Sequence, residues 1–199
     1  MHVIIITGFL GSGKTTLLTK IAQRASDKGL KAGIVVNEVG KVAIDDRFMK
    51  KLGHSVWEIM GGCVCCTLKP RLVDTLKVLK RDHDIDLILV EPSGTAEPGE
   101  VISIFEQYHD DSANRRYQVA LLDPLNLDMH MEVYTPLTTS TIKGADLVLV
   151  TKADVSSREQ VEYSVATARQ ENPDVPVFVV SSQTDLEPAC WEELDKWLP

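Results

Sequence analysis

The chain has 199 residues, 44% of them hydrophobic and 25% charged, as expected for one globular domain large enough to bury a substantial core. Its 29 acidic against 21 basic residues leave a net charge of −8, which argues against a nucleic-acid or anionic-membrane surface and favours soluble protein and small-ion partners. No apolar run approaches the roughly 20 residues that a membrane span needs, and Met1 lies two residues before the first expected strand, leaving no room for a leader, so a cytoplasmic location is expected.

Val3, Ile4, Ile5 and Ile6 are an apolar, β-branched run that predicts a buried strand, and Leu17, Leu18, Ile21, Ala22 and Ala25 recur at helical spacing after it. Between them, Gly8-Phe9-Leu10-Gly11-Ser12-Gly13-Lys14-Thr15 fits the phosphate-binding pattern G-x-x-x-x-G-K-[ST] in the strand-to-helix setting that this pattern requires. Gly8, Gly11 and Gly13 let successive backbone N–H groups turn inward around phosphate oxygens, at the positive end of the following helix. Lys14, expected as a surface side chain of the loop, would reach the β- and γ-phosphates, and the Thr15 hydroxyl would bind Mg²⁺; Ser12 and Thr16 complete the nucleotide-contacting run.

Asp27-Lys28-Gly29 stops the first helix, and Ala32–Val36 reads as a second buried strand ending in Asn37-Glu38-Val39-Gly40. A weakly patterned stretch, 41–51, precedes a short strand, Val56–Ile59, which runs into Gly61-Gly62-Cys63-Val64-Cys65-Cys66. Leu68, Leu72, Leu76 and Leu79 then share one helical face. The next strand, Asp86–Glu91, ends in a carboxylate beside the phosphate loop, where an acid linked to Mg²⁺ belongs; Pro92-Ser93-Gly94 turns away from it. A helix over Pro98–Tyr108, a strand over Gln118–Asp123, a further helix within Asp128–Lys143 and a strand over Asp146–Val150 follow. The chain closes with a helix over Ser157–Gln170, a strand over Val177–Val180, Ser181-Ser182, and a helix over Glu187–Trp197. Near-continuously apolar strands alternating with helices predict an α/β domain, a mainly parallel sheet with helices on both faces.

Thr151-Lys152-Ala153-Asp154 falls at a strand tip, where the Asp154 carboxylate can accept from both the N1–H and the exocyclic amine of guanine, a donor pair that adenine lacks. The stretch is similar to the Asn-Lys-x-Asp guanine motif with Thr151 in place of Asn, an ordinary solvated turn being the other reading; Ser181-Ser182 resembles the last base-contacting loop and equally fits a plain turn after a strand. Cys63, Cys65 and Cys66 put three thiols within four residues, able to turn toward one soft or borderline cation; a buried cysteine cluster or a vicinal redox pair are the other readings. A fourth ligand would come from Glu38, a histidine, water or another subunit. The five histidines, His2, His54, His83, His109 and His130, form no ligand-spaced pair and are expected to be surface or packed side chains.

Taken together, 7–18, Asn37-Glu38-Val39-Gly40, 61–66, 91–94 and 151–154 occur in the order seen in CobW-like GTPases, and the chain resembles that family, which is related to the urease- and hydrogenase-maturation GTPases. The resemblance spans residues 3 to 182 and implies a single P-loop GTPase domain over 1–199, without the C-terminal domain common in the family. It further implies slow hydrolysis of GTP to GDP and phosphate, coupled to binding and delivery of Zn²⁺, or Co²⁺ or Ni²⁺, to a client metalloprotein or cofactor-assembly protein, with a homodimer possible. It assigns Lys14 and Thr15 to phosphate and Mg²⁺, Glu91 and Gly94 to the second switch, and Cys63, Cys65 and Cys66 to the metal. Lys41 and Ala43 stand where the family has an acid and a glycine, which speaks against an auxiliary metal site in the first switch. Two other functions fit the residues: a P-loop ATPase or kinase with incidental thiols, and a metal-sensing adaptor that binds nucleotide without turnover.

Overall fold

The computed structural model describes residues 2–36, 55–58, 85–92 and 115–199. Seven strands of this part form one sheet: β1 (His2–Thr7), β2 (Ala32–Val36), β3 (Ser55–Glu58), β4 (Leu87–Glu91), β5 (Arg115–Leu122), β6 (Leu147–Val150) and β7 (Val177–Val179). Their order is β3-β2-β4-β1-β5-β6-β7, and every neighbouring pair is parallel, so the mainly parallel expectation holds for all seven.

Side chains alternate between two cores because successive strand residues point to opposite faces. Ile4, Ile6, Ile34, Leu89, Val119, Leu121 and Leu149 face one side, where α1 (Lys14–Asp27) lays down Leu17, Leu18, Ile21, Ala22 and Ala25. The chain end covers the same side through α5 (Pro188–Asp195), Trp197 and Leu198. The opposite side takes Ala120, Leu122 and Val148 against α2 (Leu127–Val133), α3 (Thr135–Lys143) and α4 (Arg158–Glu171), represented by Leu127, Ile142 and Ala168. Each fully buried Leu or Ile contributes about 1.5–3 kcal/mol, so the α1 stripe alone fixes the helix firmly on the sheet.

Local chemistry sets the boundaries. Ser157 accepts from Gln160 N while the Gln160 side chain accepts from Ser157 N, a capping box that starts α4. The single helix expected within 128–143 is two helices, broken at Tyr134 (φ −122°, ψ 35°). Pro136 supplies the reason: a proline fits the first turn of a helix, where its missing N–H costs nothing, and not the middle of one. Cys190, on α5, is fully buried, and burial pushes its thiol up to about 12, so it is a packing residue rather than a reactive one. No helix among the described residues is long and apolar enough to cross a membrane.

β1 lies between β4 and β5, and the phosphate loop leaves its C-terminal end in the crevice between them. In sheets of this kind that crevice is where ligands bind.

Candidate functional site

The loop after β1 owes its shape to three glycines at positive φ: Gly8 at 140°, Gly11 at 77° and Gly13 at 98°. At Gly8 the requirement is steric as well, since a Cβ would stand 2.7 Å from both the Leu121 carbonyl oxygen and Ser12 Oγ. Ser12 N donates to Phe9 O at 3.1 Å, and Lys14 Nζ donates to the same carbonyl at 3.1 Å, folding the lysine back over the loop. Lys14 is only 5% exposed, so the expectation of a surface lysine is corrected: from the first turn of α1 its side chain bonds back to a loop carbonyl instead of extending into solvent. Ser12 Oγ is buried and has no hydrogen-bond partner among the described residues. Phe9 is held from outside by His130 of α2, stacked at 3.7 Å between ring centroids, and by Tyr134 at 5.6 Å.

Glu91 arrives from the end of β4. Its carboxylate is buried, and both oxygens accept from Thr15 Oγ1, at 3.0 and 3.1 Å. Two residues 76 apart in sequence thus meet as expected, a hydroxyl and a carboxylate at the mouth of the loop.

The loop after β6 brings the second motif to the same crevice. Thr151, buried, donates its hydroxyl to Ser12 O at 3.0 Å and Leu122 O at 3.1 Å, which ties this loop to the phosphate loop. Lys152 adopts a left-handed φ of 55° and donates to Asp123 Oδ2 at 2.7 Å. Asp123 is itself buried and also accepts from Asn126 Nδ2 and Leu125 N. Asp154 accepts from Ser181 Oγ at 2.7 Å on one oxygen and from Gln183 Nε2 at 3.1 Å on the other. Between the two motifs runs a cleft of about 200 Å³ with a wall of Gly11, Ser12, Gly13, Thr16 and Lys20, an apolar floor that includes Leu17, Leu121 and Leu149, and a far rim of Thr151, Lys152, Ser181 and Ser182. Lys20 closes it by donating to Thr184 O at 2.8 Å.

Of the predicted site residues, Gly8, Gly11, Ser12, Gly13, Lys14, Thr15, Thr16, Glu91, Thr151, Lys152, Asp154 and Ser181 are described and lie along this crevice. Glu38, Cys63, Cys65, Cys66 and Gly94 lie outside the described residues. Among the described residues no three His, Cys, Asp or Glu side chains gather as a metal-binding group. Sequence reasoning missed Asp123, Lys20 and Gln183. Asp123 had a signal, a carboxylate ending an apolar strand; Lys20 and Gln183 act through tertiary contacts that no spacing announces.

A parallel sheet with a phosphate loop after its central strand and a lysine–aspartate loop two strands further along defines a P-loop nucleotide-binding domain. The chain belongs to the family of the CobW/HypB/UreG nucleotide-binding domain, whose model matches residues 2–179. It is 32% identical over 189 residues to the zinc chaperone YjiA of Escherichia coli (strain K12), covering 90% of this chain and 57% of YjiA. It is 31% identical over 205 residues to zinc-regulated GTPase metalloprotein activator 1 of Saccharomyces cerevisiae, covering 88% of this chain and 47% of that protein. Among solved structures, Zn(II)-bound YjiA GTPase from E. coli matches at a TM-score of 0.66 and 26% identity, over 94% of this chain and 59% of that one. HypB from Helicobacter pylori in complex with nickel matches at 0.64 and 20% identity, over 100% and 90%, a likeness of fold alone. The chain spans about half the length of the curated relatives it matches.

Proposed function

We propose that this chain is a GTP-hydrolysing metallochaperone or metal-insertion factor, coupling the binding and turnover of GTP to the binding of a transition metal ion and its transfer to a client metalloprotein or cofactor-assembly protein. The observation that carries the nucleotide half is the continuous cleft from the Gly8–Thr15 loop to the rim beside Asp154, with the buried Ser12 hydroxyl, unpartnered among the described residues, on its wall. Phosphates would take the glycine-loop N–H groups and Lys14 Nζ, which exchanges the Phe9 carbonyl for a phosphate oxygen. The purine and ribose would lie over the apolar floor, and the Asp154 carboxylate would accept from guanine.

Mg²⁺ fits the donor set at the loop's mouth, since a hydroxyl and a carboxylate are the hard oxygen ligands that this ion prefers. Thr15 and Glu91 would hold it, directly or through water, and it would neutralise charge on the phosphates. The rest of the catalytic work belongs to the chain's own groups. Lys14 and the loop amides hold the phosphates, Thr15 and Glu91 fix one side of them, and Glu91 and Gly94, by resemblance, belong to the second switch.

The metal half is supported by family membership, by relatives named as zinc chaperones, and by the sheet register. Val36, the last residue of β2, is paired with Glu91 of β4 and with Glu58, the last residue of β3. In sequence, Glu38 comes two residues after Val36, and Cys63, the first of Cys63, Cys65 and Cys66, comes five residues after Glu58. The candidate ligands of the transported Zn²⁺, Co²⁺ or Ni²⁺ thus follow, in sequence, β2, which adjoins the strand that presents Glu91, and β3, which lies one strand beyond it. Occupancy of the phosphate site and ligation of the metal would bias the same segments, and by linkage each would tighten the other by the same factor, roughly 5- to 150-fold for a coupling of about 1–3 kcal/mol.

The test is calorimetric Zn²⁺ affinity with GDP and with a non-hydrolysable GTP analogue, in wild type and in a variant with Cys65→Ser and Cys66→Ser. Tighter Zn²⁺ binding in the GTP-analogue state, abolished by the double substitution, is expected; equal affinities in both states defeat the coupling. For the base, Asp154→Asn is expected to move preference from guanine toward xanthine nucleotides by about tenfold or more, because an amide donates where the carboxylate only accepts. An unchanged ratio of GDP to XDP affinity would remove Asp154 from the base site.

A further inference from the structure

The Asp154 carboxylate is not waiting bare for a base. Both of its oxygens accept hydrogen bonds from the segment after β7: Ser181 Oγ at 2.7 Å on Oδ1 and Gln183 Nε2 at 3.1 Å on Oδ2. The two donors are held differently. Ser181 Oγ also accepts from Gln183 N at 3.0 Å, which consumes a lone pair and directs its single proton to Asp154, so the serine is fixed from both sides. The Gln183 amide is the tip of an exposed side chain. It is also chemically close to the group that Asp154 would bind: an NH₂ on an sp² carbon, like the exocyclic amine of guanine.

We propose that Gln183 is a specificity-determining residue of the base site, whose amide occupies the Asp154 oxygen that the exocyclic amine of guanine takes and leaves it when a guanine nucleotide docks. This rests on the reading of Asp154 as the guanine acceptor. Ser181 stays in place and keeps the carboxylate oriented; Gln183 is the group exchanged. The exchange has a directional consequence. Guanine needs both oxygens and displaces the amide, whereas hypoxanthine, which has the N1–H but no exocyclic amine, needs one and leaves Gln183 bonded to the other. Gln183 thus weakens guanine binding selectively, narrowing the margin over hypoxanthine and making the guanine nucleotide easier to release.

The experiment compares GDP and IDP affinities by calorimetry for the wild-type protein, Gln183→Ala and Gln183→Met, the methionine keeping the bulk of the side chain without its donors. Both variants are expected to bind GDP about two- to fivefold more tightly, the worth of one exposed hydrogen bond, with IDP affinity unchanged, so that the GDP preference rises. GDP affinity that is unchanged or weaker in Gln183→Ala overturns the proposal, as does an equal gain for IDP. A gain in Gln183→Ala that Gln183→Met lacks overturns it too, since bulk rather than the amide would then be the obstacle. Asp154→Asn measured alongside with GDP and XDP separates the two claims. If that variant shifts toward XDP while both Gln183 variants are neutral, only the role of Gln183 falls; if the shift is absent, the base reading beneath it falls.

Discussion

At the phosphate end of the cleft, Lys14 and Glu91 are 5% and 4% exposed and the loop is set by three backbone positions that only glycine occupies without strain. At the base end, Asp154 and Gln183 are exposed and the geometry is set by side-chain hydrogen bonds with which water competes. One end is shaped by backbone conformation and burial; the other is shaped by exposed side-chain contacts that a ligand can replace. Such a division would suit the GTP-dependent function proposed for the chain. The phosphates differ between GTP and GDP and need a rigid reader, while the base is the same in both states and needs only to be held and let go.

The sharpest way to break the comparison is to remove the rigid end's charge. Lys14→Ala is expected to lower GTP hydrolysis by about a hundredfold or more, as losing one donor aimed at developing charge does in preorganised sites. Because Lys14 is buried and bonded to Phe9 O, the substitution also loosens the loop, so thermal unfolding should accompany the single-turnover assay. Hydrolysis within a few-fold of wild type would end the P-loop assignment. Next in size is a pair of glycines. Gly8→Ala places a methyl 2.7 Å from a backbone carbonyl at φ 140° and should cost about 2–3 kcal/mol in urea unfolding, from overpacking and backbone strain together. Gly11→Ala meets nothing within 4 Å and should cost only the strain of its left-handed backbone, about 1 kcal/mol. Equal costs would show that the loop is not held by its contact with β5.

That contact marks where sequence reading ran out. The seven strands, the phosphate loop and Thr15 beside Glu91 were legible because each rests on local pattern: apolar runs, a fixed glycine spacing, a carboxylate ending a strand. Likewise Asp154 and Ser181 were placed by analogy of spacing. What stayed hidden was how the two ends are joined. Thr151 could be read as a substitute for asparagine, but not as the donor to Ser12 O and Leu122 O, because its partners lie 139 and 29 residues away and only the order β1-β5-β6 brings them together. Thr151→Val keeps the shape and removes the hydroxyl. It should lower stability and GDP affinity by about 1 kcal/mol each, the worth of one buried hydrogen bond. A loss in stability without a loss in affinity would mean that the tie holds the fold and not the site.

The smallest effect expected is a pH dependence confined to the rigid end. His130 stacks on Phe9 with the ring planes 13° apart, and burial lowers its pKa from 6.5, with Asp123 pulling weakly the other way. A neutral imidazole is therefore what the folded protein prefers against the loop. Between the folded and unfolded pKa values the unfolded chain binds more protons, so stability rises with pH there. The contribution is complete above pH 6.5 and is lost as pH falls through the depressed folded value. His130→Phe retains an aromatic ring against Phe9 and has nothing to protonate. Urea unfolding of both proteins from pH 7.5 downward should show wild type losing stability below about pH 6.5 and the variant losing less, before the carboxylates of Asp185 and Asp195, both held below their usual range, begin to titrate. Parallel curves for the two proteins would mean that His130 charges in place at little cost, and that the stack on Phe9 does not depend on a neutral ring.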